Sequence, residues 1–169
     1  MEFVISWFSP GDGGMKMQVS APLSSTTPLV PPALQDSLPF PGLWNYEVVE
    51  AFFLDSTTVN YLEVEVCPHG QQLVLLLSGR GHAFMQQLPL RSRQPSQETG
   101  GRVSGSSPLV LLPPSVNKMN SYAIHGSGAD LVEGQKPNFH LLEYFQDFRL
   151  QSIMGEDWVQ PESDLWKGK

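Results

Sequence analysis

Cysteine is almost absent from this chain of 169 residues, where Cys67 stands alone. No intrachain disulfide can form, which excludes the small secreted scaffolds that rely on several bridges. Charge is scarce as well, at 16% of residues against a usual ~25%. What charge there is leans acidic: 10 Lys and Arg against 17 Asp and Glu give a net charge of −7. A chain of that sign lacks the basic footprint that attracts nucleic acid or an anionic lipid surface. Long apolar runs are missing, none approaching the ~18 residues that span a bilayer. Residues 1–8 carry an acid where a secretory leader wants a positive charge, and are too short for its apolar core. There is no Asn-X-Ser/Thr glycosylation acceptor either. The expectation is a soluble, cytoplasmic protein with no membrane segment.

What is present is enough for one β-rich domain over 1–169. Hydrophobic residues make up 40%, while 15 Gly and 15 Pro punctuate the chain and disfavour long helices. Residues 15–21 alternate weakly and predict a strand. Residues 22–42 hold six prolines without periodicity, and predict an irregular loop. Residues 47–54 are β-rich, and Asp55-Ser56-Thr57-Thr58 marks a turn. Residues 61–67 alternate, with Leu62, Val64 and Val66 opposite Tyr61, Glu63 and Glu65. After Pro68-His69-Gly70, residues 73–77 supply a third strand. Short strands with tight turns predict an antiparallel meander within an all-β sandwich. Segment 91–116 is atypical: Arg91-Ser92-Arg93-Gln94-Pro95-Ser96 has loop chemistry, 100–108 is rich in Gly and Ser, and only 109–112 reads as a strand. Residues 119–125 alternate again. The aromatic run 139–150 suits a helical face or a final strand, with a short helix expected near the C-terminus. The tail 159–169 is polar apart from Leu165 and Trp166.

Two of these stretches are recognisable. Leu43-Trp44-Asn45-Tyr46-Glu47-Val48-Val49-Glu50-Ala51-Phe52-Phe53-Leu54 and Tyr61-Leu62-Glu63-Val64-Glu65-Val66-Cys67-Pro68-His69-Gly70 resemble an uncharacterised animal family, known as the chromosome four open reading frame thirty-three family. Residues 120–127, 137–140 and 160–166 belong to the same resemblance, which covers most of 10–90 and 117–166. More distantly, the Trp-x5-Glu-x-Phe pattern, the Tyr-x-Glu-x-Glu strand and the Pro-x-Phe-His segment are similar to family-nine carbohydrate-binding modules, which are antiparallel β-sandwiches. That resemblance implies that Trp44 stacks on a sugar and that Glu50 accepts its hydroxyl hydrogen bonds. The sequence departs from the family pattern at its start, where the family's extended first strand looks curtailed before Ser9. Between 99 and 114 the sequence breaks from the family pattern, reading Gly100-Gly101-Arg102-Val103-Ser104-Gly105, as a changed frame or splice would produce.

Strand geometry sharpens the site. Side chains repeat every second residue, so Trp44 and Glu50 should share a face if one strand holds both. If the core takes Val49, Ala51 and Phe53 with Leu62, Val64 and Val66, Glu50 lies opposite it with Glu63 and Glu65. An aromatic plate beside acceptors suits a carbohydrate or small polar ligand. The bland alternative makes Trp44 core and the glutamates a solvated face. Glu63 and Glu65, about 7 Å apart along the strand, fall in the range of a glycosidase pair, but Glu alternating with apolar residues is ordinary on a strand, so no enzyme is expected. Cys67 and His69 lack metal-ligand spacing to His82, His125 or His140, and Pro68-His69-Gly70 reads as a turn, as does Gly126-Ser127-Gly128. His140, in the Pro-x-Phe-His motif, has no assigned role beyond a hydrogen-bonded structural residue. No cofactor or metal is expected. The leading expectation is a non-enzymatic binding module, with a protein-interaction adaptor using the sheet or loop 22–42, and a haem-binding sandwich, as rivals.

Overall fold

The computed structural model describes residues 2–7, 14–20, 39–67, 70–88, 90–93, 102–124 and 139–169. Ten strands occur among them: β1 (Glu2–Trp7), β2 (Gly14–Ser20), β3 (Val48–Asp55), β4 (Asn60–Val66), β5 (Gln72–Ser78), β6 (Ala83–Gln86), β7 (Arg91–Arg93), β8 (Arg102–Pro108), β9 (Lys118–Ile124) and β10 (Gln146–Asp147). They form two antiparallel sheets, a four-stranded one ordered β1-β2-β8-β7 and a six-stranded one ordered β10-β9-β3-β4-β5-β6. The all-β expectation holds. The sole α-helix among the described residues, α1 (Gln151–Met154), is one turn long and supplies the short helix expected near the C-terminus.

The meander of β3, β4 and β5 follows the alternation. Its first turn is built by Asp55, whose Oδ1 accepts the backbone N–H of Thr57 at 2.9 Å while Oδ2 accepts the Thr58 hydroxyl at 2.9 Å. The turn closes through Val59, which is forced to φ 60, a left-handed conformation that costs a β-branched residue roughly 1–2 kcal/mol. Beyond it, Phe53 pairs with Leu62 and Glu50 with Glu65, while Glu63 pairs with Leu75.

The six-stranded sheet is covered on both faces. Its first face carries Val49, Ala51, Phe53, Leu62, Val64, Val66, Val74 and Leu76, clustered with Met17 of β2 and with Leu90, Leu111, Leu112, Val116, Leu150 and Trp166. The sandwich core therefore lies on this side, and the tail is part of it: Trp166 is buried and meets the Phe84 ring edge-on at 5.4 Å. The second face carries Val48, Phe52, Leu54, Tyr61, Leu73, Leu75 and Leu77, covered by Leu43 and Phe145 and flanked by Phe40, Phe139 and Leu142. Unbroken apolar residues over Leu73-Val74-Leu75-Leu76-Leu77 are what burial on both sides requires.

Three local expectations are corrected. Segment 91–116 is not loop up to residue 109: it contains β7 and β8, and β8 pairs with β2 from Gly14↔Pro108 to Ser20↔Arg102. Gly and Ser lack β-propensity, so this ladder rests on main-chain pairing that no side-chain pattern announces. Leu109–Leu111, read as a strand, is instead a 3-10 turn. Residues Glu2–Trp7 form β1, which pairs with β2 along its whole length. Of the aromatic run, Leu142–Tyr144 is a 3-10 turn and only Gln146–Asp147 is strand. Residues 22–38 of the Pro-rich loop, together with His69, His125 and 126–128, lie outside the described residues.

Candidate functional site

Glu50, Glu63 and Glu65 come together in the middle of the second face. Glu50 is on β3 with Glu65 directly across the ladder on β4, and Glu63 stands two residues before Glu65 on the same side. One carboxylate oxygen from each lies within 4.8 Å of the others. The strands bordering them supply Leu73 opposite Glu65, Leu75 opposite Glu63 and Tyr122 of β9 opposite Glu50. The parity argument that put the three glutamates together is correct, but the solvated-face alternative is not. Glu50, Glu63 and Glu65 are 2%, 5% and 0% exposed.

Burial without donors defines the chemistry here. Oε2 of Glu50 and both oxygens of Glu65 have no hydrogen-bond partner among the described residues. Burial alone pushes the Glu50 carboxyl up to about 7. Burial plus the Glu50 charge pushes Glu63 up to about 8. Glu65 is raised well above the carboxylate range by burial and by both neighbours. Close like charges in an apolar setting favour a shared proton, a hydrogen-bond donor or a cation. The Tyr122 hydroxyl feels the same field: burial and the Glu50 charge raise it, while the Asn120 amide it accepts at 2.9 Å pulls the other way.

Trp44 is placed differently from the strand expectation. It sits in the 3-10 turn Leu43–Asn45, entered through Gly42 at φ 79, so strand parity does not relate it to Glu50. It is 44% exposed, whereas its neighbour Leu43 is fully buried in the second-face cluster. The turn thus anchors at that face and leaves the indole at the surface.

His140 belongs to the same face. Its Nδ1 is 2.8 Å from the Tyr61 hydroxyl, which also accepts the Gly81 N–H at 2.8 Å. The imidazole meets Phe52 edge-on at 5.6 Å. Burial, with Arg80 nearby, holds its pKa below the usual histidine value. Burial is also the main cause that pushes Tyr61 up to about 12. His140 therefore pins the segment beginning at Phe139 onto the sheet, a structural part in line with the bland reading. Sequence reasoning missed its partner Tyr61 and also missed Glu47, 3% exposed just before β3; the Tyr61 alternation was the available signal for the first. Cys67 is buried in the second-face cluster, and the group of potential metal ligands among the described residues contains neither Cys nor His.

These features define an all-β protein with a buried acidic cluster on one sheet face. No helix among the described residues is long and apolar enough to cross a membrane. The chain is 58% identical to the UPF0462 protein C4orf33 homolog of Danio rerio, over 94% of this chain and 86% of that protein. It is 48% identical to the UPF0462 protein C4orf33 of Homo sapiens, over 94% and 85% of the two chains. Identity to the Mus musculus homologue is also 48%, over 94% and 88%. The chain belongs to the UPF0462 (C4orf33) family. No family model matches it, and no solved structure does.

Proposed function

We infer that this chain is a non-enzymatic, cytoplasmic binding protein whose ligand is a carbohydrate or another small polar molecule. The ligand is received on the second face of the six-stranded sheet by Glu50 with Glu63 and Glu65, with Trp44 as the aromatic plate at the surface turn. The observation that carries this reading is the set of buried acceptor oxygens on Glu50 and Glu65 that have no donor among the described residues. A buried polar atom left without a partner costs about 1–3 kcal/mol, and a ligand bearing O–H donors would recover that cost. A hydrolytic reading fits less well. All three carboxyls are raised together by burial, rather than split into one raised acid and one ionised base. The lone cysteine and the net charge of −7 support a cytoplasmic setting away from nucleic acid.

The test is a thermal-shift screen of the purified chain against mono- and oligosaccharides, nucleotides and haem, with Trp44→Ala and Glu50→Gln alongside. A sugar that raises the wild-type midpoint and leaves both variants unmoved supports the assignment. A ligand that moves Trp44→Ala as much as wild type removes Trp44 from the site. A transition that no small molecule moves overturns the reading in favour of an adaptor, and a Soret band on haem titration overturns it in favour of haem carriage.

A further inference from the structure

The acidic cluster has a second, sharper property. Three carboxylates converge from two neighbouring strands, and the ion pairs among the described residues all lie elsewhere. Those pairs are Arg80–Glu143, Lys118–Asp147, Arg149–Glu156 and Lys167–Asp164, all on exposed or half-exposed side chains. Glu65 is fully buried and pairs with Glu50 across the ladder, yet neither of its oxygens meets a donor among the described residues. Apolar neighbours Leu73 and Leu75 on β5 wall one side. A buried carboxylate is ordinarily paired, hydrogen-bonded or bound to a metal.

We propose that Glu50, Glu63 and Glu65 form a binding site for one hard divalent cation, with Ca2+ the best match. The donor set is all oxygen, which selects the hard ions and gives no preference to Zn2+ or Cu2+, whose sites use nitrogen and sulfur. Ca2+ takes 6–8 oxygens at about 2.3–2.6 Å in adaptable geometry, and three carboxylates binding through both oxygens reach the lower number. A separation of at most 4.8 Å between ligand atoms falls within twice that bond length. Mg2+ demands a near-ideal octahedron at about 2.0–2.1 Å and keeps several waters, which this walled site does not favour. The cation would take the place of the protons that these buried carboxyls otherwise hold, and neutralise two of the three charges so formed. This inference draws on the same oxygens as the carbohydrate reading, but it needs neither Trp44 nor an opening wide enough for a sugar.

The experiment uses the full chain, stripped with a chelator and titrated with Mn2+ while the free-ion EPR signal is followed. Ca2+ and Mg2+ serve as competitors, and the thermal midpoint is read in parallel. One Mn2+ should bind per chain, Ca2+ should displace it more effectively than Mg2+, and Ca2+ should raise the midpoint by several degrees. Glu65→Gln, checked for folding by circular dichroism, should weaken binding at least about 10-fold, because affinity follows the number of charged ligands. If that variant does not fold, Glu63→Gln is read the same way. Folded wild type that leaves millimolar Mn2+ free overturns the proposal, as does a variant that binds as tightly as wild type. A sugar-induced shift that persists in chelator, alongside no Mn2+ uptake, would overturn the cation site and leave the binding-module reading standing. The reverse pattern would do the opposite.

Discussion

The two faces of the six-stranded sheet are built by the same strands from residues of opposite parity, yet they are different environments. The first is apolar throughout, from Val49, Ala51 and Phe53 to Leu62, Val64 and Val66. The second holds comparable bulk in Phe52, Tyr61, Leu73 and Leu75, but three buried glutamates sit in its centre. Both faces exclude water, so burial alone does not separate them. The difference lies in what each face gains by excluding it. On the first, every buried side chain contributes transfer free energy, about 1.5–3 kcal/mol for each large one. On the second, part of that gain is given up to keep three acids where their charged forms are least stable.

The comparison can be broken in three places, from the largest expected effect to the smallest. Phe53→Ala empties the first face beneath the Phe148 ring and should lower stability by about 3–5 kcal/mol in denaturant titration. A loss under about 1 kcal/mol would mean that this face is not the main core. Glu65→Met removes an unpaired acid from the second face and should, in chelator at neutral pH, raise stability by roughly 1–4 kcal/mol. A clear loss instead would show that Glu65 has a donor after all.

The same variant carries a pH signature. Glu50 and Glu63 titrate near 7 and 8 when folded, against an ordinary 4.5, so between those values the folded chain holds protons that the unfolded chain has released. Their contribution to stability is complete below about 4.5, falls as pH rises through 7 and 8, and is absent above. His140, with its lowered pKa, works in the opposite sense and withdraws stability as pH falls below the usual histidine value. Metal-free wild type should therefore lose stability from mildly acid to mildly alkaline pH, and Glu65→Met should flatten that slope by removing the Glu65 carboxyl, itself raised by burial and by both neighbours. An unchanged slope would show that the three groups do not share one field. The smallest effect lies off both faces: Val59→Gly relieves the left-handed strain at φ 60, and should add about 0.5–1 kcal/mol.

Much of the central meander was legible in the sequence, because Tyr61 to Val66 alternates and fixes which residues share a face. The gathering of Glu50, Glu63 and Glu65 followed from parity alone. Their burial did not, since Phe139, Leu142 and Phe145, which pack on the same face, come from far away in sequence. One local signal did point to it: Leu73, Leu75 and Leu77 project to the same side as the glutamates, and three leucines do not sit beside a solvated acid row without a roof. The four-stranded sheet was less legible, because the Gly and Ser of β8 give no periodic pattern. Trp44 was misplaced because a single left-handed glycine, Gly42, breaks the strand in which parity would apply.

Met17 and Trp166 are members of one buried cluster, and the ladders join β2 to β8 and β3 to β9 across long stretches of chain. Contacts between such distant residues have to be found by search before they repay the entropy of closing the loop. The kinetics of this molecule are therefore set by topology: assembly in milliseconds to seconds, as in other sandwiches rich in non-local pairing, with the β3–β4–β5 meander available early as a local unit. During that interval the edges of the meander are unsatisfied templates for a second chain, so refolding yield should fall with protein concentration even where the finished protein is stable.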